Sequence, residues 1–123
     1  MSTILRDQVR ARFAYERVAA VPAAERKDYE NAVLRLGASI LRVGLVAALA
    51  EIQRTGARGA RLLDDLARAE IPGLRTKDGA ELVERARRLE ADAYMIATRE
   101  ILAVVAWLRR ACQAQAAASS AGG

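Results

Sequence analysis

A chain of 123 residues with 20 Lys or Arg, 15 Asp or Glu and no His carries a net charge of +5 at neutral pH. That length suits one domain, and about two-thirds of its unfolded surface is buried on folding, so a core needs neither disulfide nor structural metal. Without His the commonest general base and metal ligand is missing, and a single Cys cannot form an internal disulfide, which points to a reducing, cytoplasmic setting. Ala, Leu, Arg and Glu abound while Thr, Phe and Pro are few, which favours helices over sheets. The N-terminus lacks the apolar stretch of a signal peptide, and no apolar run approaches the roughly 18 residues of a membrane span. Residues 1–62 carry 11 basic and 6 acidic side chains, against 9 and 9 in residues 63–123, so the excess charge lies in the first half. Of the 20 cations 18 are Arg; Arg is the better fork for phosphate, although a GC-rich genome produces the same bias.

The periodicity predicts an all-α, single-domain bundle of five to six helices over residues 1–112, with 113–123 a disordered Ala/Ser/Gly tail. Residues 3–20 form the first helix. Leu5, Val9 and Phe13 give one apolar edge, and Ile4, Ala11, Tyr15 and Val18 another, so two neighbours are expected. Between the edges Arg6, Arg10 and Arg17 fall within roughly 40° of each other. They form either an anion-binding stripe or a solvated face. Val21-Pro22 breaks the helix, and a second helix follows from about residue 23 to 36, with Tyr29, Val33, Leu36 and Ile40 in one row. Gly37 either ends it, with a third helix over about 38–54, or lies within a helix that runs on to 54. In a continuous helix Gly37 and Gly44 share one side, as do Arg35 and Arg42.

Thr55-Gly56 is a stop signal, and 57–59 a short linker. A fourth helix, about 60–70, turns Leu62, Leu63, Leu66 and Ala67 inward. Asp64-Asp65 is the only adjacent acidic pair; with no further ligands nearby it reads as a solvated face. Ile71-Pro72-Gly73 is a turn. Thr76 caps a fifth helix, about 77–90, with Glu81–Arg85 and Glu84–Arg88 as i,i+4 pairs. The last helix either follows a cap at Asp92 or continues the fifth. Its apolar stretch runs from Tyr94 to Cys112. Tyr94, Thr98, Ile101, Val105, Leu108 and Cys112 line one face, widened by Met95, Leu102 and Ala106, with Trp107 beside it; Tyr94, Ile101, Val105, Trp107 and Leu108 are expected to form the core. This is the helix the others are expected to cover. Arg109 and Arg110 complement its C-terminal dipole.

Catalytic signals are absent. Cys112 sits on a core stripe without an activating neighbour. Gly56 and Gly59 lack the strand and Lys-Ser/Thr of a phosphate loop. Glu51 and Glu100 pair with an Arg such as Arg54 or Arg99, or reach solvent. Five aromatic residues are too few for a base-stacking platform, so any nucleic acid is held by its phosphates with little sequence preference.

The run Tyr94, Thr98-x-Glu100, Trp107-Leu108-Arg109-Arg110-x-Cys112 resembles the C-terminal signature of the small helical subunit of Cmr complexes, the type III-B CRISPR RNA-guided effectors. Arg10, Ala14-Tyr15, Val18, Tyr29, Val33, Leu36 and Gly44-Leu45 extend the similarity over about residues 4–112. The chain departs from the family pattern at Leu36-Gly37, where Leu-Pro is common, at Val43, where a polar residue is usual, and at Arg109, where Lys is usual.

The resemblance implies a non-catalytic subunit in antiviral defence, with other Cmr subunits, head-to-tail copies of itself, and guide and target RNA as partners. No cofactor, metal, small-molecule substrate or membrane is implied. Arg6, Arg10, Arg17, Arg35, Arg42, Arg109 and Arg110 are the candidate RNA-binding residues. The alternatives are the small subunit of another CRISPR effector, or a protein-only helical scaffold that binds no RNA.

Overall fold

The computed structural model describes residues 3–122. Six α-helices follow in order: α1 (Thr3–Ala19), α2 (Arg26–Val43), α3 (Leu45–Arg54), α4 (Ala57–Arg68), α5 (Gly79–Ala86) and α6 (Ala91–Gly122), with a single 3₁₀ turn at Ala23–Glu25 before α2. The described residues contain no strand. The all-α bundle predicted from periodicity is the fold observed.

Helix α2 is the central element. It packs on α6 along one side and on α3 and α4 along the other, whereas α1 rests mainly on α6, and α5 on α3 and α4. The expectation that α6 is the covered centre is therefore corrected. Tyr29, Ala32, Val33, Leu36 and Ile40 repeat at three and four on α2 and are all buried, which lets one helix serve both halves. They meet Leu45, Leu49 and Ile52 of α3, Leu62 and Leu66 of α4, and Ile101, Val105 and Leu108 of α6 in one continuous core. Each fully buried Leu or Ile in such a core contributes about 1.5–3 kcal/mol relative to exposure.

Contacts set the directions of the long helices. Gly37 lies against Val105, and Gly44 against Tyr94, so α2 runs antiparallel to α6. Arg10 of α1 meets Glu100 and Arg17 meets Asp65, beside Tyr29 at the start of α2. Helix α1 accordingly runs parallel to α6. Its Ala14 and Val18 are buried and Phe13 partly so, while Leu5, Val9 and Tyr15 are exposed. The two neighbours expected for α1 reduce chiefly to one, because a single face is covered. The side chain of Ile4 lies outside the described residues.

Several boundaries differ from the periodicity. The break in the second helical region falls at Gly44, not Gly37: Gly44 has φ +89° and ψ 168°, a backbone region open almost only to glycine. It ends α2 and opens α3, so Gly37 and Gly44 do not share a continuous helix. Residues 57–59 are the first turn of α4, not a linker; the Thr55-Gly56 stop holds, with Gly56 at φ +65°. Asp78, not Thr76, caps α5, its carboxylate accepting from the Glu81 N–H at 2.9 Å. Arg87 to Glu90 separate α5 from α6, so the fifth and sixth helices are distinct. Helix α6 continues past Cys112 to Gly122. The turn at Ile71–Gly73 is present, with Gly73 at φ +81° and the Leu74 N–H donating to the Ile71 carbonyl at 2.8 Å.

Two glycine substitutions separate these roles. Gly44→Ala forces a side chain into the glycine-only region with its Cβ 3.4 Å from the Tyr94 hydroxyl; a loss of about 1–3 kcal/mol in urea unfolding is expected. Gly37→Ala gains about 1 kcal/mol of helix propensity but presses on Val105 Cγ1 at 3.4 Å. It should stay within about 1 kcal/mol of the parent in the same measurement.

Candidate nucleic-acid interface

The seven Arg residues singled out from the sequence fall into four settings. Arg10 spans α1 and α6. Its Nη2 donates to Glu100 Oε2 at 2.7 Å and Oε1 at 2.9 Å, and its Nη1 to Asp7 at 3.1 Å. The bond to Glu100 is the main cause of its raised pKa, holding the guanidinium still more firmly charged, against an opposing effect of burial. Arg17 Nε donates to Asp65 Oδ1 at 2.8 Å. Both cations are spent inside the bundle. The stripe formed with Arg6 on a helical wheel is thus divided: Arg6 is exposed and makes no ion pair among the described residues.

Arg35 and Arg42 stand together on α2. They line a groove with Ser39 and with Glu51 of α3. Both are exposed, and Arg42 approaches Glu51 Oε1 loosely at 3.8 Å. Two cations thus face one carboxylate. Arg109 and Arg110 lie elsewhere, at one end of an apolar groove of about 600 Å³ between α2 and α6. The Arg110 guanidinium carbon sits 4.7 Å from the centre of the Trp107 ring, within cation–π range.

Trp107 was expected in the core with Tyr94, Ile101, Val105 and Leu108. Only Ile101, Val105 and Leu108 are buried; Trp107 and Tyr94 are partly exposed at the edge. Trp107 therefore loses less than full burial of an indole would give. Met95 and Ala106, expected to widen the buried face of α6, are exposed, and Leu102 is half-buried, because α1 and α2 leave that flank of α6 open.

The signature residues of α6 act in the architecture. The Tyr94 hydroxyl accepts from the Val46 N–H at 3.2 Å. Helix α3 begins at Gly44 with no side-chain cap of its own, so α6 supplies an acceptor to one of its free N–H groups. The Thr98 hydroxyl donates to the Tyr94 carbonyl at 2.8 Å, and Glu100 anchors α1 through Arg10.

Of the acidic pair Asp64-Asp65, expected as a solvated face, only Asp64 is exposed. Asp65 is 1% exposed. Besides the Arg17 bond, its Oδ2 accepts from the Tyr29 hydroxyl at 2.8 Å, so one carboxylate ties α1, α2 and α4 together. Asp64 accepts from the Gly79 N–H at 2.8 Å and joins α4 to α5. Burial, with the Asp65 charge second, raises the Tyr29 pKa well beyond its ordinary range. Sequence reasoning missed this network because its partners are 36 and 48 residues apart, and no local pattern marks them. Glu51 and Glu100 pair with Arg42 and Arg10 rather than with Arg54 or Arg99, for the same reason.

Among the described residues no group of three or more acidic or Cys side chains could hold a metal ion, and no helix is long and apolar enough to cross a membrane. Burial, then Glu30, pushes the Cys112 thiol up to about 11. The polar side chains thus define a helical bundle whose buried charges join helices and many of whose other cations lie on its surface.

Comparison with known proteins places it. Residues 6–115 match the family model described as CRISPR-associated protein (Cas_Cmr5). The Cmr subunit Cmr5 of a Thermus thermophilus CRISPR system is 38% identical over 111 residues, covering 89% of this chain and 94% of that protein. The crystal structure of a CRISPR-associated Cmr5 family protein from Thermus thermophilus superposes with a TM-score of 0.78 at 36% identity, over 89% of this chain and 96% of that one. The chain belongs to the Cmr5 family, the small subunit of the type III-B Cmr complex.

Two sets of measurements check the internal contacts. Asp65→Ala leaves Arg17 and the Tyr29 hydroxyl without their shared acceptor and should cost about 3–5 kcal/mol in urea unfolding; Tyr29→Phe, which keeps the charge pair, should cost about 1.5–3 kcal/mol. Cys112 should resist iodoacetamide at pH 8 in the native protein and react in denaturant. Because its folded pKa lies above the ordinary 9.0, its contribution to stability is complete below pH 9 and drains away as pH rises to about 11. Cys112→Ala should flatten the stability profile across that window.

Proposed function

We propose that this chain is a non-catalytic subunit of a cytoplasmic, antiviral Cmr ribonucleoprotein, and that it accommodates target RNA through the cationic flank of α2. The observation that carries this reading is the exposed pair Arg35 and Arg42, seven residues apart on one side of α2 in a shared groove. Seven residues are two turns, or about 10 Å along the axis, a spacing that suits more than one phosphate of a strand. Phosphate contacts of this kind position a strand without reading its bases, as suits a subunit that must accept any target paired to a guide. Arg6, Arg109 and Arg110 remain candidate contacts on other faces, whereas Arg10 and Arg17 would have to leave carboxylate partners to reach RNA.

Family membership supports other Cmr subunits as partners and a structural role. Copies of this chain stack head-to-tail in this reading, a heterologous contact that can propagate along an assembly. Exposed Leu5 and Val9 on α1, and Met95 and Ile96 at the start of α6, supply apolar edges for it.

The test is target-RNA affinity against salt concentration, using complexes purified from the host with parent or variant chain. Arg35→Ala and Arg42→Ala should weaken binding of unrelated target sequences alike and lower the salt slope by about one for each lost phosphate contact. An unchanged slope, or loss confined to particular sequences, would remove the backbone-contact reading. Complexes that lack RNA altogether would favour the protein-only scaffold.

A further inference from the structure

On its other flank α2 presents Leu34 and Leu41, which are 42% and 78% exposed. They are two turns apart, about 10 Å, and with Leu102 of α6 they line the groove of about 600 Å³ between the helices. Val33, Gly37 and Val105 also line it, and Val33 and Val105 belong to the buried core. Two exposed leucines over an apolar floor are poorly suited to a phosphate strand and well suited to an apolar helix stripe.

The charges around the groove limit what can fill it. Its lining includes Arg109 and Arg110 and no carboxylate. Glu30, one turn from Leu34 toward the start of α2, pairs with neither Arg among the described residues. An occupant must therefore bring its own negative charge to that end. The exposed apolar edges of this chain do not fit: Leu5 and Val9 adjoin exposed Arg6 and Arg12, and Met95 and Ile96, though next to Asp92, also adjoin exposed Arg99. Each edge spans about one turn, and each would bring a cation toward Arg109 and Arg110.

We propose that the groove between α2 and α6 docks an amphipathic helix of another protein, whose two-turn apolar stripe seats on Leu34, Leu41 and Leu102 and whose flanking Asp or Glu residues meet Arg109 and Arg110. Apolar burial supplies affinity and the charged rim supplies orientation and selectivity. Neither Arg35 nor Arg42 lines this groove, which adjoins theirs at Ala38.

A photo-crosslinking residue, p-benzoylphenylalanine, placed at Leu41 of the full chain in its native host tests this. That side chain is largely exposed, so the fold should tolerate the change, with a thermal melt of the purified variant as the check. After irradiation and denaturing purification, mass spectrometry should find a crosslink to a different protein. The crosslinked segment should carry apolar residues at three- and four-residue spacing with adjacent Asp or Glu. Arg109→Glu with Arg110→Glu should lower its yield roughly tenfold, while the same reversal at Arg68 and Arg75, exposed outside this groove, should leave it unchanged. Crosslinks to RNA, to a second copy of this chain, or to a neutral or basic segment would overturn the proposal, as would no crosslink or a yield indifferent to the Arg109 and Arg110 reversal.

Discussion

The carboxylate of Asp65 is the constraint on which the arrangement of helices turns. A charge taken out of water is tolerated only when its oxygens are matched, and here an Arg from α1 and a Tyr from α2 match them. Apolar packing alone would allow neighbouring helices to slide or rotate by small amounts at modest cost. A buried carboxylate with two directional donors does not, since displacing either leaves an uncompensated group in a low-dielectric interior. The ends of α1, α2 and α4 are thereby registered to one another, and the row Tyr29, Val33, Leu36 and Ile40 is aimed at both halves of the bundle.

The same economy applies to the rest of the polar interior. Arg10 is held by Glu100, the first turn of α3 by the Tyr94 hydroxyl, and the start of α5 by Asp64. Tyr94 and Glu100, part of the signature read along α6, make contacts between helices. A chain of modest size whose surfaces must meet other molecules needs those surfaces held in fixed relation, and these contacts provide it. The outside of α2 is left with one flank cationic, with Arg35 and Arg42, and the other apolar, with Leu34 and Leu41. Adjacent residues on a helix differ by about 100°, so Leu34 and Arg35 can serve two different surfaces.

Much of this was legible in the sequence. The helical class follows from composition, and the inward residues of α2 and α4 follow from apolar spacing, because local periodicity reports which face is buried. The Glu81–Arg85 and Glu84–Arg88 pairs were equally legible, being set by one helix turn. Boundaries were less so. Gly37 and Gly44 are the same residue type within helical sequence, and only the second adopts a positive φ; each meets a different residue of distant α6, Val105 and Tyr94.

The sequence by itself determined the helical class, the buried rows and, through the resemblance in α6, the family. Those properties are local: each depends on residues within a turn or two of one another, or on a run read in order. The tertiary structure alone decided the fate of the cations and carboxylates. Arg10, Arg17, Arg35 and Arg42 are chemically alike, yet two are consumed in the bundle and two stay exposed. Asp65 is buried while Asp64 beside it stays exposed. A charge's role depends on the partner across the helix interface and on its access to water, and both are set by segments far away in the chain.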